Sequence, residues 1–361
     1  ALMSRLIESE HMTPEMFSAC LKFVWGAGKG LKDNFSATAN SGVTETATYV
    51  AVVCSFQEFK TYEDWLSTVK ERIDTISSNL TMSDTSCTEV PMGYVSYSLS
   101  GFWNCYTRAL EAKEESIYTP EVEQRLFDLV NYMMSMLAPG FHPPQQGDDG
   151  FYTRDYAGTF KNFAEYFNEP TFWYAATNGN DVRAKEPAYK SVMYPVGRKV
   201  AMRTGWGNDA LYLQTQADGS KYSHGHADDL AVIVFAYGQY LLVDPNHNTY
   251  IANDQTRWLA DTIGHNAVNI NGVSQAASGH ASYGYGVPGA INRWVSNEGY
   301  DFVKAETYNN KEYIGNNLKL NKDDFEYTRS TLFIKPNYWI VSDYLRPQKY
   351  PEQINHYSQN W

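Results

Sequence analysis

Apolar positions in the first half of the chain recur every three to four residues. From Thr61 onward, Tyr62, Trp65, Val69, Ile73 and Ile76 fall on one side of a helical repeat, and Val122, Leu126, Val130, Met133 and Leu137 do the same. That spacing predicts amphipathic helices. Their ends carry matching punctuation: Thr13-Pro14 and Thr119-Pro120 each place a capping hydroxyl before a first-turn proline, and Pro139-Gly140 closes the second run. Near residue 180 the pattern changes. ALYLQTQAD (210–218), LAVIVFAYGQYLLVD (230–244), HNAVNING (265–272) and STLFIKPNYWIVSDYL (330–345) read as strands, separated by Gly, Asn, Asp and Pro clusters.

A length of 361 residues suits two cores. The pattern change places a helical domain at 1–177, a polar linker NGNDVRAKEPAYK at 178–190 and a strand-rich domain at 191–361. Helical hairpins packed side by side would form a solenoid or an open toroid, and the strands a sandwich of antiparallel sheets, giving an α+β fold class. The opening ALMSRLIES lacks the basic start and apolar core of a secretory signal, and NHYSQNW stops inside an alternation. Further residues are expected at both ends.

The formal net charge of -12 leaves no basic surplus for neutralising phosphates, which argues against a nonspecific nucleic-acid binder. An acidic ligand in a locally positive cleft stays possible. No apolar run is long enough to span a bilayer. Cys20, Cys54, Cys87 and Cys105 show no CxxC spacing and are expected to be buried apolar residues. The 28 tyrosines exceed what a core needs, and exposed Tyr or Trp along a groove stacks well on sugar rings.

The chemistry concentrates in KYSHGHADDLAVIVFAYGQYLLVDP, 221–245. If this stretch is a strand, His224 and His226 point to one face and serve one site, with a third imidazole following at His265. His247 competes with His265 for that role. His11, His142, His280 and His356 have no partner at ligand spacing, and Asp148-Asp149 in QQGDDG reads as a turn.

SHGHADDLAVIVFAYGQYLLVDP followed by HNAVNING, with RKVAMRTGW before and RSTLFIKPNYWIVSD after, resembles the heparinase II/III-like polysaccharide lyases. DTSCTEVPMGYVSYSL (84–99) and SATANSGVTETATYVAVVCSFQEF (36–59) are similar to the helical segments that carry that family's tyrosine and asparagine. The resemblance implies an N-terminal incomplete (α/α) toroid followed by an antiparallel β-sandwich, with a substrate cleft between them. It implies β-elimination on a uronic-acid-containing polysaccharide: heparan sulfate, hyaluronan, chondroitin or alginate. Residue by residue, it places the metal ligands on His226, Asp244 and His265, the catalytic histidine on His224, the tyrosine on Tyr94 and the asparagine on Asn40. Tyr250 falls near a further active-site tyrosine. The implied metal is Zn2+ in a structural role, clamping the sheet and orienting His224. The implied location is periplasmic or secreted, in a bacterium.

Elimination removes the C5 proton beside the uronate carboxylate and expels the oxygen at C4, so the developing enolate charge must be offset. Asn40 is the candidate donor for that charge. Tyr94, an unperturbed phenol, is a better acid than base near neutrality. If both reacting groups lie on one face of the sugar, one tyrosine could serve both; if they lie on opposite faces, His224 is the better base. Glu89 is a candidate for holding Tyr94 or a sugar hydroxyl, and Arg203 for meeting the uronate.

Blander readings compete with each assignment. The metal set could be hydrogen-bonded core polarity, Tyr94 a helix-end aromatic, Asn40 a helix cap, Glu89 a solvated loop carboxylate and Arg203 a surface arginine. Ser41 and Val95 stand where alginate-cleaving members commonly carry histidine. A noncatalytic polysaccharide-binding protein on the same scaffold is therefore one alternative. The other is a cupin-like metalloenzyme, which would share the HGH motif but lacks the downstream glutamate and leaves the helical half unexplained.

Overall fold

A computed structural model describes residues 9–114, 117–149, 156–218, 224–245, 249–251, 253–272, 274–275, 289–307, 311–312, 319–320, 325–347 and 356–361. His247 and His280 lie outside them. Seven helices come first among the described residues: α1 (Pro14–Asp33), α2 (Ala39–Ser55), α3 (Tyr62–Leu80), α4 (Met92–Glu111), α5 (Pro120–Met136), α6 (Ala157–Phe167) and α7 (Pro170–Thr177). The expected signals act where they were read. Thr13 Oγ1 accepts from Met16 N at 3.2 Å and Thr119 Oγ1 from Val122 N at 3.3 Å, each satisfying an N–H that a helix start leaves open. In α3 the predicted stripe Trp65, Val69, Ile73 and Ile76 is buried.

The chain forms two compact units. The first holds the residues up to Thr81 together with Tyr97–Leu126, and the second holds Met82–Ser96 and Phe127–Trp361. Helix gives way to strand between Thr177 and Val192, yet the helical stretch after Phe127 belongs with the sheets.

Within the first unit, α1 approaches α3 at Gly28, where a Cβ would lie 2.4 Å from the Trp65 ring. Buried Arg72 on α3 donates to Leu31 O and Lys32 O, both at 2.8 Å, which satisfies carbonyls at the end of α1. Of the four cysteines, Cys87 and Cys105 are buried, whereas Cys20 and Cys54 are only partly so. The expectation of four buried thiols is thus half right.

In the second unit, β1 (Val192–Tyr194), β2 (Lys199–Arg203), β3 (Tyr212–Gln216), β4 (Val232–Ala236) and β5 (Gln239–Leu242) form an antiparallel meander. The β4–β5 turn places Tyr237 and Gly238 at φ 55° and 76°, the paired left-handed residues of a tight hairpin. Next come the helix α8 (Asp254–Ala260), β6 (Val268–Ile270), β7 (Ala290–Ser296), β8 (Tyr300–Thr307), β9 (Lys311–Glu312), β10 (Lys319–Leu320), β11 (Phe325–Ile334), β12 (Tyr338–Pro347) and β13 (Tyr357–Gln359). A second antiparallel sheet runs β12-β11-β8-β7, and two strand pairs, β10-β9 and β13-β6, complete the set. Val200, Met202, Leu213, Val232 and Val234 of the first sheet share one apolar cluster with Val303 and Phe333 of the second. Burying each such side chain contributes roughly 1.5–3 kcal/mol, so this cluster fixes the sheets whose ends carry the site.

Candidate active site

The segment 224–231 is a turn and loop, not a strand; β4 begins only at Val232. His224 adopts φ 65°, a left-handed conformation that an extended strand excludes, so the reading of His224 and His226 as strand neighbours on one face gives way. What aligns the two rings is a shared carboxylate. Asp148 Oδ2 lies 2.8 Å from His224 Nδ1, and Asp148 Oδ1 lies 3.1 Å from His226 Nε2. The QQGDDG segment, expected to be a plain turn, therefore enters the site.

Two phenols join from other elements. Tyr94, in the first turn of α4, stacks on the His224 ring with centroids 3.7 Å apart and planes 13° from parallel. Its hydroxyl lies 2.5 Å from that of Tyr250, which also reaches Asp148 Oδ2 at 3.2 Å and His224 Nδ1 at 3.5 Å. Burial raises the Tyr94 phenol above its usual value, with the Tyr250 hydrogen bond acting the other way and Asp148 adding to the rise. Burial, the bond to Tyr94 and the Asp148 charge raise Tyr250 further. Both phenols thus keep their protons near neutrality.

Behind these residues lies the metal candidate. His226, Asp244 and His265 each offer a ligand atom, these atoms lie within 4.8 Å of one another, and all three residues are buried. Asp244 lies two residues past the end of β5 and sits 2.8 Å from His265 Nδ1 through Oδ2. Burial works to lower the His265 imidazole, but Asp244, with Asp228 and Asp261 behind it, outweighs burial and the net shift is upward. Among the described residues His265 Nε2 is buried with no hydrogen-bond partner, an arrangement that costs free energy in a protein interior and that a cation would relieve. Two imidazoles and a carboxylate are a metal-ligand set, and this group could bind a metal.

Neighbouring contacts hold this set in place. Asn266 Nδ2 donates to Val232 O and Val243 O, both at 2.9 Å, pinning the His265 loop to the β4–β5 hairpin. Arg329 of β11 donates to Leu230 O at 2.7 Å and Asn266 O at 2.6 Å while pairing twice with Asp343, opposite it on β12. Thr262 Oγ1 donates to Ala227 O at 2.7 Å, linking the loops of His226 and His265. Solvent reaches the upper part only: Tyr250 is 51% exposed, whereas His226 and His265 are each 1% exposed. Tyr250 and His224 therefore reach solvent, whereas the rings of the metal set do not.

One expected contact and one blander reading do not hold. Arg203 is fully buried on β2; its guanidinium donates to Leu137 O at 3.1 Å and to Ser135 O, and it packs over the Trp206 ring at 4.1 Å. It completes the end of α5, so the expectation that Arg203 meets a uronate, or lies on the surface, is corrected. Glu89 is buried as well, which overturns its reading as a solvated loop carboxylate. Asn40 is the second residue of α2, half-buried, with Thr38 at the cap position in its place. It belongs to the first compact unit, whereas Tyr94, Asp148, His224, Tyr250 and the metal set belong to the second.

Asp148 is the residue that sequence reading missed. Its partners lie 76 and 78 positions away, too far for any local pattern. The available signal was a carboxylate pair beside a glycine in an otherwise apolar, proline-containing stretch.

The family model for the heparinase II/III N-terminus matches residues 1–173, and that for heparinase II/III-like, C-terminal, matches residues 206–352. The chain belongs to the heparinase II/III-like polysaccharide lyase family. Among solved structures, this family member is similar to heparan sulfate lyase HepC from Pedobacter heparinus, with a TM-score of 0.73 at 19% identity over 93% of this chain and 50% of that one. It is also similar to the heparinase III BT4657 gene product, with a TM-score of 0.78 at 17% identity over 94% and 50%. A structure described as heparinase III gives 0.76 at 18% over 93% and 51%. The chain thus spans about half the length of these proteins, and the likeness is one of fold: helices followed by antiparallel sheets in two domains. A comparison with curated protein sequences found no match. Among the described residues, no helix is long and apolar enough to cross a membrane.

Proposed function

We propose that the protein is a lyase that cleaves an acidic, uronic-acid-containing polysaccharide by β-elimination, with heparan sulfate as the first substrate to test. The observation that carries this reading is the stack of Tyr94 on His224, with the Tyr250 hydroxyl bridging the Tyr94 hydroxyl and Asp148. An acid and a base lie side by side at the solvent-reaching edge of this group.

In this reading Tyr94, whose burial keeps it protonated, gives its proton to the departing C4 oxygen. His224 takes the C5 proton. Tyr250 touches the Tyr94 hydroxyl and reaches Asp148, which positions the acid. Asn40 is assigned the task of donating to the uronate carboxylate as charge moves onto its oxygens, where loss of one preorganised donor typically costs about 3 kcal/mol. Glu89 is assigned to the support of Tyr94. When bound, a zinc ion would supply a fixed positive charge and a cross-link at His226, Asp244 and His265, and its part here is structural. The (α/α) toroid, the β-sandwich and a periplasmic or secreted location belong to the same proposal.

The names of the similar structures favour a heparan-type glycosaminoglycan over alginate, as do Ser41 and Val95. The test is incubation with heparan sulfate, heparin, hyaluronan, chondroitin and alginate, following the ultraviolet absorbance of an unsaturated uronate end. Absorbance growing on one of them supports the lyase. Binding to a polymer with no absorbance change on any supports the noncatalytic scaffold instead.

A further inference from the structure

His224 and His226 meet on one buried side chain, and its catalytic meaning rests on the lyase reading above. We infer that Asp148 is a positioning residue that fixes the tautomers of both histidines at once, so that one carboxylate orients the base and a metal ligand together. An ionised carboxylate only accepts hydrogen bonds. The ring nitrogens facing it, His224 Nδ1 at 2.8 Å and His226 Nε2 at 3.1 Å, therefore carry their protons. Each lone pair is left on the opposite nitrogen. For His224 that is Nε2, the edge that takes the proton in the proposed reaction; for His226 it is Nδ1, the edge that would ligate.

The local backbone is built to hold this arrangement. Asp148 N–H donates to His224 O at 3.0 Å, so the residue grips both the ring and the main chain of one partner. The approach needs Gly147: it adopts φ 57°, and a Cβ there would lie 2.2 Å from His224 O. Asp149 turns the other way, its Oδ2 accepting from Gly93 N at 3.0 Å, at the start of the helix that carries Tyr94. Two adjacent carboxylates thus tie one short segment to both residues of the proposed acid–base pair. His224 itself is held at φ 65°, a conformation that a non-glycine residue keeps only when its surroundings impose it.

An amide cannot replace this carboxylate. The side chain of Asp148→Asn has one accepting and one donating edge, so it can satisfy one histidine as before only by forcing the other to reverse its tautomer. Either the base or the ligand then loses its lone pair from the working side.

The experiment compares the purified, zinc-loaded protein with Asp148→Asn. Long-range proton–nitrogen correlation on 15N-histidine protein reads the tautomers, zinc titration reads affinity, and steady-state kinetics are measured on whichever polymer the wild type cleaves. Expected for the wild type are Nδ1–H on His224 and Nε2–H on His226. Expected for Asp148→Asn are one reversed tautomer and, in a protein of native circular dichroism, one of two losses. These are kcat down about 100-fold or more with KM within about threefold, or zinc affinity down roughly 10- to 100-fold. Unchanged tautomers, kcat and zinc affinity overturn the inference. If Asp148→Asn does not fold, the wild-type spectrum decides alone, and Nε2–H on His224 or Nδ1–H on His226 overturns it. If the wild type cleaves no polymer, the lyase reading fails while the tautomer and zinc measurements still judge Asp148.

Discussion

The hydroxyl of Tyr94 is one oxygen atom on which the proposed chemistry turns. Tyr94→Phe keeps the ring stack on His224 and removes the proton donor, so kcat should fall about 100-fold or more while melting temperature and zinc content stay at wild-type values. Full turnover in that variant would remove Tyr94 from the reaction. The metal set answers a different question. His226→Ala should lose zinc and melt several degrees lower, and a chelator should lower the melting temperature of the wild type but not of this variant. A zinc-replete His226→Ala protein would show that His226 is not a ligand. These residues were legible as candidates because each stands in a short segment of recognisable pattern. Asp148 and Arg203 were misread for a common reason: what decides their roles is burial and partners distant in sequence, and neither leaves a trace in local spacing.

Elements were read well where periodicity and punctuation agreed. The stripe of α3, the Thr-Pro starts of α1 and α5 and the strands read within 230–244 and 330–345 all form, since amphipathic burial and alternation are local demands. The segment before β4 was read as strand because its apolar run continues from it; the left-handed His224 shows that tertiary contacts with Asp148 overrode that propensity. Arg329 ties elements together in the same way. It is 2% exposed, pairs with Asp343 across β11–β12 and donates to the loops that precede β4 and follow His265. Arg329→Ala strands the Asp343 charge and two carbonyls, so unfolding free energy should drop by about 3–5 kcal/mol, measured by urea denaturation. A change under about 1 kcal/mol would mean the pair does not organise the sheet.

For the molecule as a whole, aromatic burial sets the response to alkali. Burial raises the phenols of Tyr49, Tyr132, Tyr212, Tyr240 and Tyr327 well above their ordinary range and pushes Tyr194 up to about 12. In the unfolded chain the same groups lose their protons near pH 10, so the folded state binds more protons above that point. Their contribution to stability is therefore complete below about pH 10 and is lost as pH rises through the folded values. The melting temperature should fall steeply between about pH 10 and 12, and a flat profile there would contradict the burial of these rings. At this scale the comparisons show a family through its two matched segments, and Tyr94, Asp148, His224, Tyr250 and the metal set converge within one unit, whereas Asn40 belongs to the other.

Mass spectrometry of the oligosaccharides released from heparan sulfate tests the central claim most directly, because elimination and hydrolysis leave different ends on the same cut. The account predicts chains ending in an unsaturated uronate, without the water that hydrolysis adds, from the wild type, with about 100-fold less from Tyr94→Phe. Cut chains bearing hydrated ends, or equal unsaturated product from Tyr94→Phe, would contradict it.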